Sequence, residues 1–483
     1  MKWDDAVYLA LLLSSVLLGH AVKRLNRPQH RLLFTGLAGF CMALYICGTQ
    51  IWHSLFVSTS VFLIIKFMSR KICHIVGFWF AFGYLLFFRS SAFFGVEYPL
   101  PYTNAIQLLL TLKVVSVAFD AHDADVAAKS KSDKENANWT YSPLGPNHPL
   151  DDPTTFTVSL TEYYCYIYCF IGLFTGPFVQ LKLYRHMIHR SDTNNIRTVV
   201  PALRRLSPLP VFGLIFLIVG NAFPDSQMIT EEFLELGGMW GFTYRYLYLI
   251  PVFLCFRLRF YIGWLIAESS CITAALGAYP FDAKCLPGRG PTVPICNSNH
   301  VASNGDTHSF ESVRNLDIYE IESCVTMGHS IKHWNMTVQT WLVYNVYKRF
   351  PIKSLRYACV FLVSSFWHGI YPGYYLCLLS TTIYGAMESR LAILCKPLWE
   401  KANRFTYALL YIIGQMYRMH SFEYVAVGFI LLEVSPTLAV WRADYFYYHI
   451  FGVVMLVIML LVPSKRRSVE KQSGGGTRRE KAD

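Results

Sequence analysis

His368 closes the apolar run Phe361-Leu362-Val363-Ser364-Ser365-Phe366-Trp367 and precedes Gly369, while Asn335 sits where His333-Trp334-Asn335-Met336-Thr337-Val338-Gln339 turns from polar to apolar. Strongly polar groups in apolar segments are expensive, so both are functional candidates. A neutral imidazole in a partly dry site can take a proton from a hydroxyl, its ordinary pKa of about 6.5 lying close to ambient pH. An asparagine amide can donate to a carbonyl oxygen that turns negative under attack. The two residues are 33 positions apart across the basic connection Lys348-Arg349-Phe350-Pro351. That separation suits two antiparallel helical segments facing each other, and the pair suits acyl transfer to an alcohol. On residue types alone the other reading stays open, in which the histidine is a hydrogen-bonded structural group and the asparagine caps a helix.

The elements that must position such a pair are membrane helices. Of 483 residues, 54% are hydrophobic, 16% aromatic and only 15% charged, where a soluble protein carries about 25% charged residues. Apolar stretches fall near 6–22, 32–49, 51–65, 72–94, 102–119, 163–181, 209–223, 243–268, 334–347 with 355–370, 373–394, 405–416, 422–440 and 444–462. The segments 269–281 and 405–416 are candidates for re-entrant or interfacial elements. The first stretch follows Met1-Lys2-Trp3-Asp4-Asp5, which lacks the basic start of a signal peptide, so it reads as a retained span. The expected fold is all-α, a polytopic helical bundle of about eleven spans enclosing a chamber.

Lys and Arg carry the orientation signal. Lys23, Arg24, Arg27 and Arg31, then Lys66, Arg70 and Lys71, and the tail from Lys465 onward predict cytosolic segments. A cytosolic first loop and tail put the N-terminus on the lumenal side and make the number of crossings odd. The net charge of +12 is thereby read as topological. The expected domain runs over 1–464, with polar loops at about 120–159 and 282–312 and a basic flexible tail at 465–483. The sequon Asn138-Trp139-Thr140 falls in a cytosolic loop and is expected to stay unmodified, and Arg479-Glu480-Lys481-Ala482-Asp483 approximates a dilysine-type retrieval signal. The thirteen cysteines lie mostly in apolar runs and read as small hydrophobes. His186 and His189, among Lys182, Arg185 and Arg190, read as a basic face meeting anionic headgroups. No histidine spacing marks a metal site, and no phosphate loop or nucleic-acid signature is visible.

Trp334-Asn335 and Trp367-His368-Gly369 resemble the Asn/His signature of the membrane-bound O-acyltransferase family. Further blocks extend the likeness in order and approximate spacing to its lysophosphatidylinositol acyltransferase branch. These are Thr103 to Lys113, Gly176-Pro177-Phe178, Phe256-Arg257-Leu258-Arg259-Phe260-Tyr261, Gly277-Ala278-Tyr279-Pro280, Arg314-Asn315-Leu316-Asp317, Trp334 to Gln339 and Pro372 to Leu376. The departures lie in 120–159, 282–312 and the tail, and His333 stands where relatives are expected to carry an aromatic residue.

The resemblance implies an enzyme of the endoplasmic-reticulum membrane. It would move a polyunsaturated acyl group, typically arachidonoyl, from acyl-CoA to the sn-2 hydroxyl of lysophosphatidylinositol, with acyl-CoA as co-substrate and no resident cofactor. His368 is the expected base, and Asn335 orients the thioester or steadies the oxyanion. Trp334, Gln339, Ser365, Trp367, Arg257 and Arg259 are candidate substrate contacts. Arg257 and Arg259 either bind coenzyme A or inositol phosphates, or snorkel or pair with Glu268. A covalent acyl-enzyme through Ser364, Ser365 or Cys359 is the alternative chemistry. The alternative functions are acylation of another lysophospholipid headgroup, acylation of a protein, or a non-enzymatic transporter or scaffold. Lysophosphatidylinositol, acyl-CoA and membrane lipids are the expected partners, and no protein partner is specified.

Overall fold

A computed structural model describes residues 3–130, 142–144, 148–293 and 307–461. The sequon at 138–140, Cys296 and the tail at 465–483 lie outside the described residues. The chain begins with α1 (Trp3–Arg24), α2 (Pro28–Cys47), α3 (Ile51–Phe67), α4 (Cys73–Arg89) and α5 (Pro101–Lys129). Short elements follow: α6 (Leu160–Ile167), α7 (Leu181–His189), α8 (Val199–Leu206), α9 (Leu209–Ala222) and α10 (Glu231–Glu235). The 36-residue α11 (Gly238–Thr273) then leads through a two-stranded antiparallel pairing, β1 (Tyr279–Pro280) with β2 (His308–Ser309), to α12 (Ile318–Ser323), α13 (Met327–Lys332) and α14 (Met336–Leu342). The last elements are α15 (Arg356–His368), α16 (Pro372–Lys401), α17 (Arg404–Leu431), α18 (Val434–Ala443) and α19 (Tyr447–Leu461). Among the described residues the fold is all-α but for that minimal sheet. Among the described residues, five helical stretches are long and apolar enough to cross a membrane by themselves: Ala6–Arg24, Pro28–Phe67, Pro101–Lys129, Val199–Ile229 and Gly238–Thr273.

Helix α5 is the axis of the first half, with every residue from Leu109 to Phe119 buried, whereas α9 buries none of its 14 residues, as a lipid-facing helix does. The structure departs from the hydropathy reading in several places. The apolar stretch 163–181 forms only the short α6 and then an irregular buried segment. Gly172 there has φ +74°, and a Cβ on it would lie 2.6 Å from the Pro177 carbonyl oxygen. Hydropathy reports that water is excluded and is blind to whether lipid or protein excludes it. The polar loop expected from 120 starts only after Lys129, because Asp120 to Lys129 extends α5. The stretches 405–416 and 422–440 are mostly one helix, α17, since nothing breaks the chain between them, and 269–281 begins as the end of α11.

Charges that seemed topological are also structural. The C-terminal carbonyls of a helix lack intrahelical donors, and buried or half-buried cations supply them here. Lys113 Nζ reaches Tyr166 O and Ile167 O at the end of α6 (3.2 and 3.3 Å). Arg31 reaches Ile188 O and Arg190 O at the end of α7 (3.3 and 2.6 Å), and Lys23 donates to Ile196 O (2.5 Å).

Of the basic face expected to meet headgroups on and after α7, Arg185, His186 and Arg190 are buried, Lys182 is half-buried and His189 is exposed. Arg185 pairs with Glu162 (2.6 Å), and His186 is buried between Asp151 (Nε2 to Oδ1, 2.6 Å) and the Tyr279 hydroxyl (Nδ1, 2.7 Å). A carboxylate only accepts, so His186 carries its proton on Nε2 and takes the tyrosine hydrogen on Nδ1. Burial pushes the imidazole pKa of His186 down. Burial alone would raise Asp151, but His186, Lys182 and Ser142 hold its carboxyl well below the usual range.

Candidate active site

Asn335 precedes α14 in the left-handed region (φ 50°, ψ 48°), which asparagine tolerates better than most side chains. The turn is fixed by its neighbours. Asp317 N donates to His333 O (3.1 Å) and Met336 N to Asn315 O (2.8 Å). The Thr337 hydroxyl donates to Asn315 Oδ1 (2.6 Å) and accepts from Phe178 N (2.9 Å). Behind them, buried Glu268 accepts from Asn315 N and Leu316 N (2.7 and 3.1 Å). The blocks around Phe178, Asn315 and Asn335, far apart in sequence, therefore form one support for the turn. Glu268 is also paired with Arg205 (3.2 Å) rather than with Arg257 or Arg259.

His368 is the last residue of α15, and the end of that helix is held by Arg89 from α4. The guanidinium donates to Phe366 O (2.7 Å), Trp367 O (2.6 Å) and His368 O (3.1 Å), and its Nε donates to Asn104 Oδ1 (3.1 Å). The imidazole packs against Trp367, Phe429 and Tyr374, with ring centroids 4.8, 5.0 and 5.8 Å away. Gly369 lets Tyr374 close over this end, since a Cβ there would lie 2.3 Å from that ring.

Asn335 and His368 line one chamber of about 450 Å³, a volume suited to a ligand site. Phe253, Phe256, Phe260, Phe361, Phe422 and Phe429 supply much of its wall. Of the other sequence candidates, Trp334, Gln339, Trp367 and Arg257 also line it. Trp334 is wedged against Trp264 and Phe260 (5.0 and 5.6 Å), and the Trp367 indole donates to Leu108 O (3.0 Å). The Gln339 amide donates to Ile331 O and Trp334 O, holding the approach to Asn335.

Ser365 and Arg259 are not part of the lining. The Ser365 hydroxyl is turned to Phe361 O in its own helix (2.8 Å), and the wall position falls to Ser364. Arg259 is exposed, because two residues along a helix carry a side chain to nearly the opposite face. Arg257 instead bonds Glu322 through Nε (3.0 Å) and Nη2 (3.5 Å), while its buried Nη1 has no hydrogen-bond partner. Arg418 of α17, buried on the same wall, spends its donors on the neutral oxygens of Gln415, Ser330 and the Glu322 backbone.

The membrane-bound O-acyltransferase family model matches residues 152–427, which include every lining residue of this chamber but Phe429. The chain belongs to the membrane-bound O-acyltransferase family. It is similar to a Xenopus laevis protein named membrane-bound acylglycerophosphatidylinositol O-acyltransferase mboat7, with 36% identity covering 94% of this chain and 93% of the relative. A Homo sapiens protein of the same name is 34% identical over 93% of this chain and 92% of its own length. A Drosophila melanogaster relative, acylglycerophosphatidylinositol O-acyltransferase frj, is 30% identical over 93% and 90%.

This membrane-bound O-acyltransferase is thus a multi-pass membrane enzyme, and its chamber brings a histidine, amides and two guanidinium groups to a largely apolar wall. Sequence reasoning missed Arg89, Asn315, Thr337 and Arg418. A cation inside an apolar run was the available signal for Arg89 and Arg418, and it was applied only to Arg257 and Arg259. It also saw no metal spacing, whereas the hairpin of α12 and α13 brings Glu320, His329 and His333 together.

Proposed function

We propose that this enzyme transfers a polyunsaturated acyl group, arachidonoyl foremost, from acyl-CoA to the sn-2 hydroxyl of lysophosphatidylinositol in the endoplasmic-reticulum membrane. The observation that carries the reading is the shared chamber of His368 and Asn335. His368 takes the proton of the sn-2 hydroxyl as its oxygen attacks the thioester carbonyl, and Asn335 donates to the oxygen that becomes negative. Collapse of the tetrahedral species forms the ester and expels coenzyme A thiolate, which recovers the proton from the imidazolium. The chamber supplies orientation and dryness.

Phosphates at either end of the substrates find cations. The free Nη1 of Arg257, with Arg418 beside it on the wall, suits a lysolipid phosphodiester. Arg289 and Lys348 flank the Tyr344 ring, each 3.8 Å from its centroid, on the exposed side of the structure. Nine residues of helix separate Tyr344 from Asn335, about 13 Å, a span that a pantetheine arm bridges between a reacting thioester and its phosphates. The arachidonoyl preference rests on the family resemblance and on the phenylalanine-rich wall. The names of the relatives support the inositol headgroup. The Lys and Arg distribution supports eleven crossings with a lumenal N-terminus and a cytosolic C-terminus.

The test is acyl transfer by the purified protein from arachidonoyl- and oleoyl-CoA to lysolipids of different headgroups. Product confined to phosphatidylinositol, with arachidonoyl-CoA preferred, is the expected result. Transfer to another headgroup discards the substrate assignment, and release of no coenzyme A with any lysolipid discards lipid acylation.

A further inference from the structure

Beside the chamber, α12 and α13 form a short hairpin whose side chains have the makings of a metal site. One carboxylate oxygen of Glu320 and one imidazole nitrogen each of His329 and His333 lie within 4.8 Å of one another. We propose that Glu320, His329 and His333 bind a zinc-class divalent transition metal, which clamps α12 to α13 ahead of the Asn335 turn.

The two histidines are four residues apart, so they share a face of α13 and its C-cap, and their rings lie 4.5 Å apart with planes 33° from parallel. His333 Nδ1 donates to His329 O (3.0 Å), which leaves the lone pair of Nε2 free. A second hydrogen bond of this kind is how proteins fix the tautomer and ring orientation of a metal-bound imidazole. His329 Nε2 lies 2.8 Å from Glu320 Oε2, the proton between them belonging to the histidine.

A metal ion displaces that proton and keeps both partners as ligands, so binding releases a proton and weakens in acid. Tetrahedral zinc ligands lie about 3.3 Å apart, from bond lengths of about 2.0–2.2 Å. The 2.8 Å edge therefore opens slightly, and the longest edge closes by about 1.5 Å, a side-chain adjustment. The Glu320 and His329 side chains are 40% and 42% exposed, which leaves a fourth position to water. Two imidazoles and one carboxylate favour zinc, cobalt or nickel over magnesium or calcium.

The site has a reason to matter. The His333 carbonyl holds Asp317 N at 3.1 Å, and Asp317 caps α12 through Glu320 N at 3.2 Å. An ion on Glu320 and the two histidines closes this loop from the side-chain face and stiffens the strap that enters Trp334-Asn335.

Chelator-treated full-length protein in detergent, titrated with cobalt(II) chloride alone, tests the proposal. The expected result is one equivalent with d–d absorption and no sulfur-to-metal charge transfer, which separates this site from any built on the thirteen cysteines. His333→Phe, His329→Gln and Glu320→Gln should each weaken binding at least about tenfold. Each should also abolish the rise in unfolding temperature that zinc chloride gives the wild type, with metal-free unfolding temperatures unchanged. Equal binding by wild type and by variants that unfold normally, or a sulfur-ligated spectrum in all of them, overturns the assignment. Protection of His329 and His333 from diethyl pyrocarbonate by saturating zinc, read by mass spectrometry, needs no variant. Modification at the same rate with and without zinc overturns it equally.

Discussion

Arg89 does not itself line the chamber, yet the end of α15 depends on it. Its guanidinium meets three consecutive carbonyls, those of Phe366, Trp367 and His368. A hydrogen bond from a charged donor contributes about 1.5–3 kcal/mol. Arg89→Gln keeps one amide donor and removes the rest, while sparing the desolvation of a buried charge. The net loss of stability should be about 2–4 kcal/mol. The kinetic effect should be distinctive, because a displacement of about 1 Å at a reacting group costs about a hundredfold in rate. For acyl transfer by purified Arg89→Gln at 20 °C below its unfolding temperature, kcat should fall about 10- to 100-fold, with both substrate KM values little changed. Arg89→Lys should resemble Gln, since a single ammonium cannot span three carbonyls. Wild-type kcat in folded Arg89→Gln, or a loss confined to KM, would refute the positioning role.

Other outcomes follow from the same geometry. Arg257→Gln and Arg418→Gln should each raise KM for the lysolipid about ten- to a hundredfold while leaving KM for acyl-CoA unchanged; equal effects on both substrates would contradict phosphodiester recognition. Ser364→Ala should retain activity, because transfer is direct; trapping of labelled acyl-protein in the wild type but not the variant would establish the covalent route instead. The Asp151–His186 pair predicts a pH response. The depressed folded pKa of Asp151 gives stability that is full above its unfolded value of about 3.9 and lost as pH falls through the folded one. The depressed folded pKa of His186 means that the unfolded chain takes up a proton first, so stability declines as pH drops below about 6.5. Thermal unfolding in detergent should be flat near pH 7–8 and fall as the pH drops below about 6.5, and His186→Asn should flatten that fall.

The sequence made some of these features plain and hid others for definable reasons. Trp334, Asn335, Trp367 and His368 stood out because polar or indole-bearing residues at the ends of apolar runs are rare and short-range. The helices α1 to α5 were legible because long apolar runs ended at basic or proline-containing breaks, or, between α2 and α3, at Gly48-Thr49-Gln50. The segment after α6 was not, since a core buried in protein and a core buried in lipid have the same composition. Nor was the support of Asn335, whose parts Glu268, Asn315, Thr337 and Phe178 are brought together only by the fold. The expected split of α17 failed because the less apolar stretch between 416 and 422 was taken as a boundary, whereas it lies inside a continuous helix whose Arg418 faces the chamber.

The central claim is that His368 is the base for acyl transfer within the chamber. The direct measurement is the initial rate of phosphatidylinositol formation from arachidonoyl-CoA and lysophosphatidylinositol by purified wild type and His368→Ala, matched for unfolding temperature. The expected rate is about 10²–10⁴ lower in the variant, with lysolipid binding retained. A His368→Ala enzyme that forms product at the wild-type rate would contradict it.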